Sequence, residues 1–168
     1  INQNASLNEI SNAALNKIIN TCGFLVGALY SIDDEEVTLI CAHGLNNTKT
    51  KHERNDFFKK IIETKEEIEI ISEISLPSVQ AGALDIKLSY LLLLPVVYNS
   101  KVIAVLELAS LNTPTIEAKD YLEKIKDQLA IGLTNAKAVV QLENFVNELK
   151  LLNDEYQKQN IQIKKQNE

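Results

Sequence analysis

The chain has 168 residues, 45% of them apolar and 24% charged, and its formal net charge is −6. Those values suit one folded globular domain with an extension and exclude a disordered chain. The acidic balance excludes a nucleic-acid surface, which needs phosphate-neutralising Lys and Arg, and disfavours docking on anionic lipid.

The longest apolar run, 91–97, is interrupted by Pro95. It is far short of the roughly 20 residues that span a bilayer, so no direct membrane insertion is expected. Two cysteines, Cys22 and Cys41, are too few for a disulfide framework. They read as small buried residues, with a bridge or a redox pair as the other reading. A chain without Met that begins at Ile1 is expected to be an internal piece of a longer protein, with effector chemistry outside it.

Residues 4–21 read as a helix. Ser6 and Glu9 fit a capping box. Leu7, Ile10, Ala14 and Ile18 recur at three- and four-residue spacing, with Leu15 and Ile19 widening the stripe, and Gly23 is a plausible stop. Residues 24–31 read as a buried central strand, 33–36 as a charged turn, and 37–42 as the returning strand of an antiparallel hairpin that ends at Gly44 and 46–48. Residues 55–64, with Phe57, Phe58, Ile61 and Ile62 at helical spacing, predict a short helix capped near Asn55 or Asp56. Ile68, Ile70 and Ile71 mark a short strand. Residues 72–89, with Pro77 and Gly82, show no sustained period and read as a long connection. Residues 90–97 and 102–108 are two strands joined at Asn99-Ser100 by a tight hairpin turn, and Pro95 marks an edge position or a bulge.

From 115 to 168 there is no Pro and one Gly, Gly132. Thr113-Pro114-Thr115 reads as a helix start, with Glu117 in the first turn. Leu122, Ile125, Leu129, Gly132 and Ala136 form a core-facing stripe. Beyond it Ala138, Leu142, Phe145, Leu149, Leu152, Tyr156, Gln159 and Ile163 alternate in steps of four and three. That is a heptad seam, the spacing of a left-handed coiled coil. The alternative is one amphipathic helix packed on its own domain.

This order predicts an α+β fold: a central antiparallel sheet of five to six strands, terminal helices on one face, and the short helix and long loop over the other. A loop over a sheet makes a natural small-molecule pocket. The expected organisation is a sensory domain at 1–137 and a coiled-coil signalling helix at 138–168.

The run from Phe24 to Tyr30 with Asp33 resembles the first strand of a GAF domain. Leu94 to Asn99 followed by Val102 to Ser110 resembles the late hairpin of bacterial GAF domains, and the acidic helix start from Glu117 to Gln128 fits as well. The resemblance covers about residues 10–137. It implies a cytoplasmic regulatory module that binds a small molecule, dimerises through its terminal helices and precedes an output domain such as a histidine kinase, chemoreceptor, phosphodiesterase or diguanylate cyclase. The chain departs from family patterns in three places. No glycine lies between 51 and 60, Ala104 stands where the family has a glycine, and the Asn-Lys-Phe-Asp-Glu motif of cyclic-nucleotide binders is absent. Bilin-binding relatives use a Cys-His pair in the pocket region; both cysteines here lie before residue 45. No covalent bilin, and no cofactor, is expected.

Glu107 is the sharpest candidate for ligand contact. It interrupts a buried strand, on a face expected to carry Ile103, Val105 and Ala109. A buried carboxylate requires a partner, either a ligand or a neighbouring Lys or backbone N–H. Tyr90, Phe57, Phe58 and Ile61 are expected to line or plug the pocket, and Asp85, Ser78 and Gln80 are polar members of the loop. His43 and His52 are candidate haem or metal ligands without a supporting cluster, and no metal is expected. Leu7, Ile10, Ala14 and Ile18, with Leu142, Phe145, Leu149, Leu152 and Tyr156, are the candidate dimer face. No catalytic motif is present, so the fragment is not expected to be an enzyme. Two alternatives stand beside the sensory reading: a ligand-free dimerisation spacer, and an oxidoreductase using Cys22 and Cys41, as in the methionine sulfoxide-reducing branch of the family.

Overall fold

A computed structural model describes residues 3–34, 36–44, 51–52, 56–72, 76, 78–81 and 84–167. Several sequence expectations lie outside these residues: the Ser6 side chain of the capping box, the strand end at 46–48, Asn55, Pro77 and Gly82, and the side chains of Gln80 and His52.

The elements in chain order are α1 (Gln3–Cys22), β1 (Val26–Asp33), β2 (Glu36–His43), β3 (Lys51–His52), α2 (Asp56–Thr64), β4 (Ile68–Ile71), β5 (Ser78–Ala81), β6 (Leu84–Lys87), β7 (Tyr90–Tyr98), β8 (Lys101–Ser110) and α3 (Ile116–Gln166). Six strands form one antiparallel sheet in the order β3-β2-β1-β8-β7-β4, in which β3 is two residues long. This is the expected α+β architecture, with one addition. The connection 72–89 is not a structureless loop, because β5 and β6 pair there as a separate two-stranded hairpin.

β1 and β8 are central and apolar on both faces, as strands covered on both sides must be. On one face Leu15, Ile18 and Ile19 of α1 and Leu122, Leu129 and Leu133 of α3 pack on Leu29, Leu92, Leu94, Leu106 and Leu108. Gly27 permits the close seating of α1: a Cβ there would come within 2.8 Å of the Ile19 side chain and 2.9 Å of Leu15. On the other face Phe58 and Ile61 of α2 pack on Ala28, Tyr30, Ile32, Val37, Leu93 and Val105. Beside this cluster Val79 of the β5–β6 hairpin, with Leu76 before it and Leu88 after it, covers Val26, Ala109 and Leu91.

The turn at Asn99-Ser100 has positive φ at both residues (47° and 62°), the twist that suits a two-residue hairpin. Pro95 satisfies both sequence readings. β4 pairs only with Tyr90 to Leu93, so Pro95 lies past the end of that ladder, and a register shift follows it at Val96/Val97. That shift corrects the expected strand alternation. Val96 pairs with Ala104 and Val97 with Val102, which leaves Ile103 as the extra residue, packed toward the terminal helices and away from Glu107.

α3 is one helix of 51 residues, about 75 Å long at 1.5 Å per residue. The Thr115 side chain caps it by accepting from the Ala118 N–H at 3.2 Å. Burial along α3 ends at Ala136. Beyond that point Leu142, Phe145, Leu149, Leu152 and Tyr156 are all exposed, and Val139 and Val146 add exposed apolar surface beside the seam. Ile18 does not belong to any face between copies: it is completely buried within the domain. Leu7 and Ala14 are half-covered against the same core, and only Ile10 of the four α1 positions is exposed, at 48%.

Candidate functional site

The site is built from two neighbouring strands. β1 and β8 pair antiparallel with Val26 opposite Ala109, Ala28 opposite Glu107 and Tyr30 opposite Val105. Side chains alternate along a strand, so these six residues share one face. Four are small or aliphatic, and the two polar ones, Tyr30 and Glu107, are diagonal neighbours within reach of long side chains. The Tyr30 hydroxyl donates to the Glu107 carboxylate. Burial first, and then the Glu107 charge and that hydrogen bond, push the Tyr30 phenol well above its ordinary range. The Tyr30 ring is held by Phe58, which meets it edge-on with centroids 5.1 Å apart and planes at 73°.

Next to this pair lies a largely enclosed cavity of about 110 Å³. Val26, Ala28, Leu91, Glu107 and Ala109 of the sheet form its floor, and Leu76, Ser78, Val79 and Leu88 its roof. Leu76, Ser78, Val79 and Leu88, between β4 and β7, therefore cover the cavity. Among the described residues the cavity wall contains no Lys, Arg or His, and Lys87 lies beside it on β6, opposite Ser78.

Of the predicted site residues, Glu107 is in the cavity wall. Val105 lies next to it on the same face, completely buried in the core with Phe58 and Ile61. Tyr90 does not join them. β7 alternation turns it to the terminal-helix face, where it packs near Phe24 and its hydroxyl donates to Glu69 Oε1 at 3.0 Å. Phe57 is 45% exposed and points away from the core that Phe58 enters. Asp85 lies on the open side of β6, and His43 is exposed at the end of β2. Among the described residues no group of three or more His, Cys, Asp or Glu is disposed to hold a metal ion. Sequence reasoning missed Tyr30 as the partner of Glu107. The signal was present as strand alternation, but using it required the register of β1 against β8.

Two features connect the sheet to α3. At its start, Lys119 bonds Glu69, which also accepts from Tyr90; these bonds, the Lys119 one foremost, hold the Glu69 carboxyl below its ordinary range. At its exit, Lys137 Nζ donates to Ser31 Oγ at 2.6 Å and lies 3.2 Å from Asp33 Oδ1, while Ser31 Oγ donates to Asp33 Oδ2 at 3.0 Å. Ser31 directly follows Tyr30 in β1.

Solved structures with this architecture are similar over most of the chain. The type II free methionine-R-sulfoxide reductase of Thermoplasma acidophilum superposes with a TM-score of 0.63 at 14% identity, over 80% of this chain and 96% of its own. A GAF domain/HD domain protein of Geobacter sulfurreducens gives 0.62 at 12% identity, over 79% and 94%. The GAF domain of a two-component sensor histidine kinase of Bacillus halodurans gives 0.59 at 16%, over 78% and 95%. The chain has the GAF fold. No family model and no curated protein matches its sequence. Identities this low leave the activity of this chain to its own residues.

The two thiols lie away from the cavity. Cys41 belongs to the core beneath the terminal helices and Cys22 packs against it, on the opposite face of the sheet from Glu107. Burial pushes the Cys41 thiol up to about 11 and also raises that of Cys22. The thiolate is the nucleophile, so raised values leave little of it near neutral pH. Native protein treated with iodoacetamide at neutral pH is expected to be alkylated far more slowly at Cys41 than unfolded protein. Comparable rates in the two states, read by mass spectrometry, would contradict the buried placement.

Proposed function

We propose that this domain is the cytoplasmic sensory input of a signal-transduction protein, a homodimer that binds a small molecule beside Glu107 and relays the event through α3 to an output domain such as a histidine kinase. The observation that carries the reading is the enclosed apolar cavity with a carboxylate in its wall, roofed by a separate hairpin. Pockets of this kind, apolar with few placed polar groups, are where small molecules bind. Among solved structures of this fold are a sensor histidine kinase domain and a methyl-accepting chemotaxis protein, which favours signalling over a passive spacer. No helix among the described residues is long and apolar enough to cross a membrane.

The relay follows the bonded side chains. A ligand at Glu107 competes for, or reorients, the carboxylate that Tyr30 holds. Tyr30 and Ser31 are adjacent in one rigid strand but face opposite sides of the sheet, and Ser31 is bonded to Lys137 where α3 leaves the domain. A small displacement of β1 is thereby converted into a change in how α3 is held at its exit, the kind of two-state helix shift that signalling proteins use.

The test is a thermal-shift screen of amines, amino acids, organic acids and nucleotides against the wild type and Glu107→Gln. A ligand stabilises by mass action, about 2.7 kcal/mol at a hundredfold excess over Kd. A hit is expected to raise Tm in the wild type only, and to change amide exchange in α3 beyond Ala136 unless Lys137 is replaced by Met. If no compound distinguishes the two proteins, the domain is a ligand-free spacer. The reductase reading, which other solved structures of this fold raise, would require turnover that a Cys22→Ser, Cys41→Ser protein lacks.

A further inference from the structure

The exposed end of α3 fits a second copy of itself in two ways. We infer that α3 pairs in parallel with α3 of a second copy through two alternative seams that share one column of residues, exchanged by a rotation of about 50° and selected by the Lys137 bond. This rests on the dimeric relay proposed above and supplies its two states.

The shared column is Leu142, Leu149, Tyr156 and Ile163. Read with Ala138, Phe145, Leu152 and Gln159, it gives the seam described above, with the shared residues at heptad position a and the others at d. Read with Val139, Val146, Asn153 and Asn160, it gives a second seam of equal length, with the shared residues at d and the others at a. All three columns are exposed along the helix. Near the domain the second seam sets Val at a with Leu at d, the combination that favours two strands. Farther out it has Asn at a, a residue that fixes register. In a parallel pair each Asn meets its own copy, and the two amides bond each other. An antiparallel pair would set them against d residues, and Leu142, Leu149 and Ile163 cannot bond an amide. The first seam instead buries Phe145 and Leu152 in place of Val146 and Asn153. Each seam is the better one over part of its length, so both are accessible. At 3.5 residues per turn the Phe145 and Val146 columns lie about 50° to either side of the shared one, so the seams are centred about 50° apart. Lys137 immediately precedes these columns and is bonded to Ser31 and Asp33. On a helix about 10–12 Å across, a turn of about 50° carries the side-chain end through roughly 5 Å, which the Lys137–Ser31 bond does not survive. That bond therefore holds α3 in one rotation, and its release permits the other.

The test is disulfide cross-linking of whole chains that carry one new cysteine: Phe145→Cys, Val146→Cys, Leu149→Cys or Asn147→Cys. A cystine needs Cα atoms within about 7 Å, so only residues that face their own copy across a seam link rapidly. The native thiols pack with the domain core, and the wild type gives their background. Linking at 145, 146 and 149 is expected to be about tenfold faster than at 147, which lies off both seams. Lys137→Met is expected to change the ratio of linking at 145 to that at 146 by about threefold or more. Sedimentation of single Asp variants reads the same seams without a new thiol. Phe145→Asp and Val146→Asp each leave one seam intact and are expected to keep the dimer within about tenfold of wild-type affinity. Leu149→Asp breaks both and is expected to weaken it by about a hundredfold or more. Linking at only one of 145 and 146, a monomer from either of the first two Asp variants, or a ratio that Lys137→Met leaves unchanged overturns the exchange of seams and leaves the sensory reading standing. A tetramer, which would bury both columns at once, overturns it as well. A wild-type chain that stays monomeric removes the dimeric relay itself.

Discussion

Replacing Phe145 and Leu149 together by Asp is expected to make the chain a monomer at concentrations where the wild type sediments as a dimer. Both side chains are about half exposed on a helix that has left its domain, at 56% and 48%. They are the middle pair of a seam running through Ala138, Leu142, Phe145, Leu149, Leu152 and Tyr156. In a coiled coil such positions are desolvated by the partner helix, and an unpaired carboxylate there costs several kcal/mol. Two such groups per chain weaken association by orders of magnitude. The domain itself is unaffected, because burial in α3 ends at Ala136. Asn147→Asp, off the seam, is the matched control and is expected to leave the dimer intact. Sedimentation equilibrium reads the result, and a dimer that tolerates the double substitution would remove α3 as the contact. Val139 and Val146 widen the exposed stripe beyond two positions per heptad. Stripes of that width suit a bundle of more than two helices near the domain as well as a two-stranded coil.

The second large effect separates two adjacent phenylalanines. Phe58→Ala is expected to destabilise the domain by about 3–5 kcal/mol, the usual loss for an aromatic truncated in a core. For a domain of this size that is a fall in Tm of about 6–20 °C. Phe58 is 4% exposed, packs with Ile61 on the sheet and holds the ring of Tyr30 edge-on. Phe57→Ala, at a position 45% exposed, is expected to change little. Circular dichroism melts of the two variants make the comparison. Equal losses would mean that α2 does not dock on the sheet through Phe58. The Phe58→Ala protein is also expected to bind ligand more weakly even where it remains folded, since Tyr30 then loses the contact that aims its hydroxyl at Glu107.

Elements with a strong local period were legible before any coordinates. The helical stripe of α1, the continuous apolar runs of β7 and β8 with their Asn99-Ser100 turn, and the unbroken α3 all follow from spacing, composition and turn chemistry. Glu107 was legible for a related reason: a carboxylate within an apolar strand stands out from its neighbours. β5 and β6 were not. Each is four residues long, pairs only with the other, and buries one side under partial cover, so neither carries a period that distinguishes it from a loop. Tyr90 was assigned to the wrong face of the sheet and Ile18 to the wrong surface for another reason. Periodicity says which residues share a face but not which partner that face meets. A single bulge at Val96/Val97 was enough to move Ile103 across the sheet from Glu107.

The amino-acid sequence by itself determined the class of fold, the order of its elements and the long helix with its heptad seam, because these rest on interactions between residues a few positions apart. Only the tertiary structure decided the site. Tyr30 meets Glu107 across 77 positions of chain because β1 and β8 pair in one register, and a slip of one residue would put them on opposite faces of the sheet. The hairpin roof and the Lys137 bond at the exit of α3 are long-range contacts of the same kind.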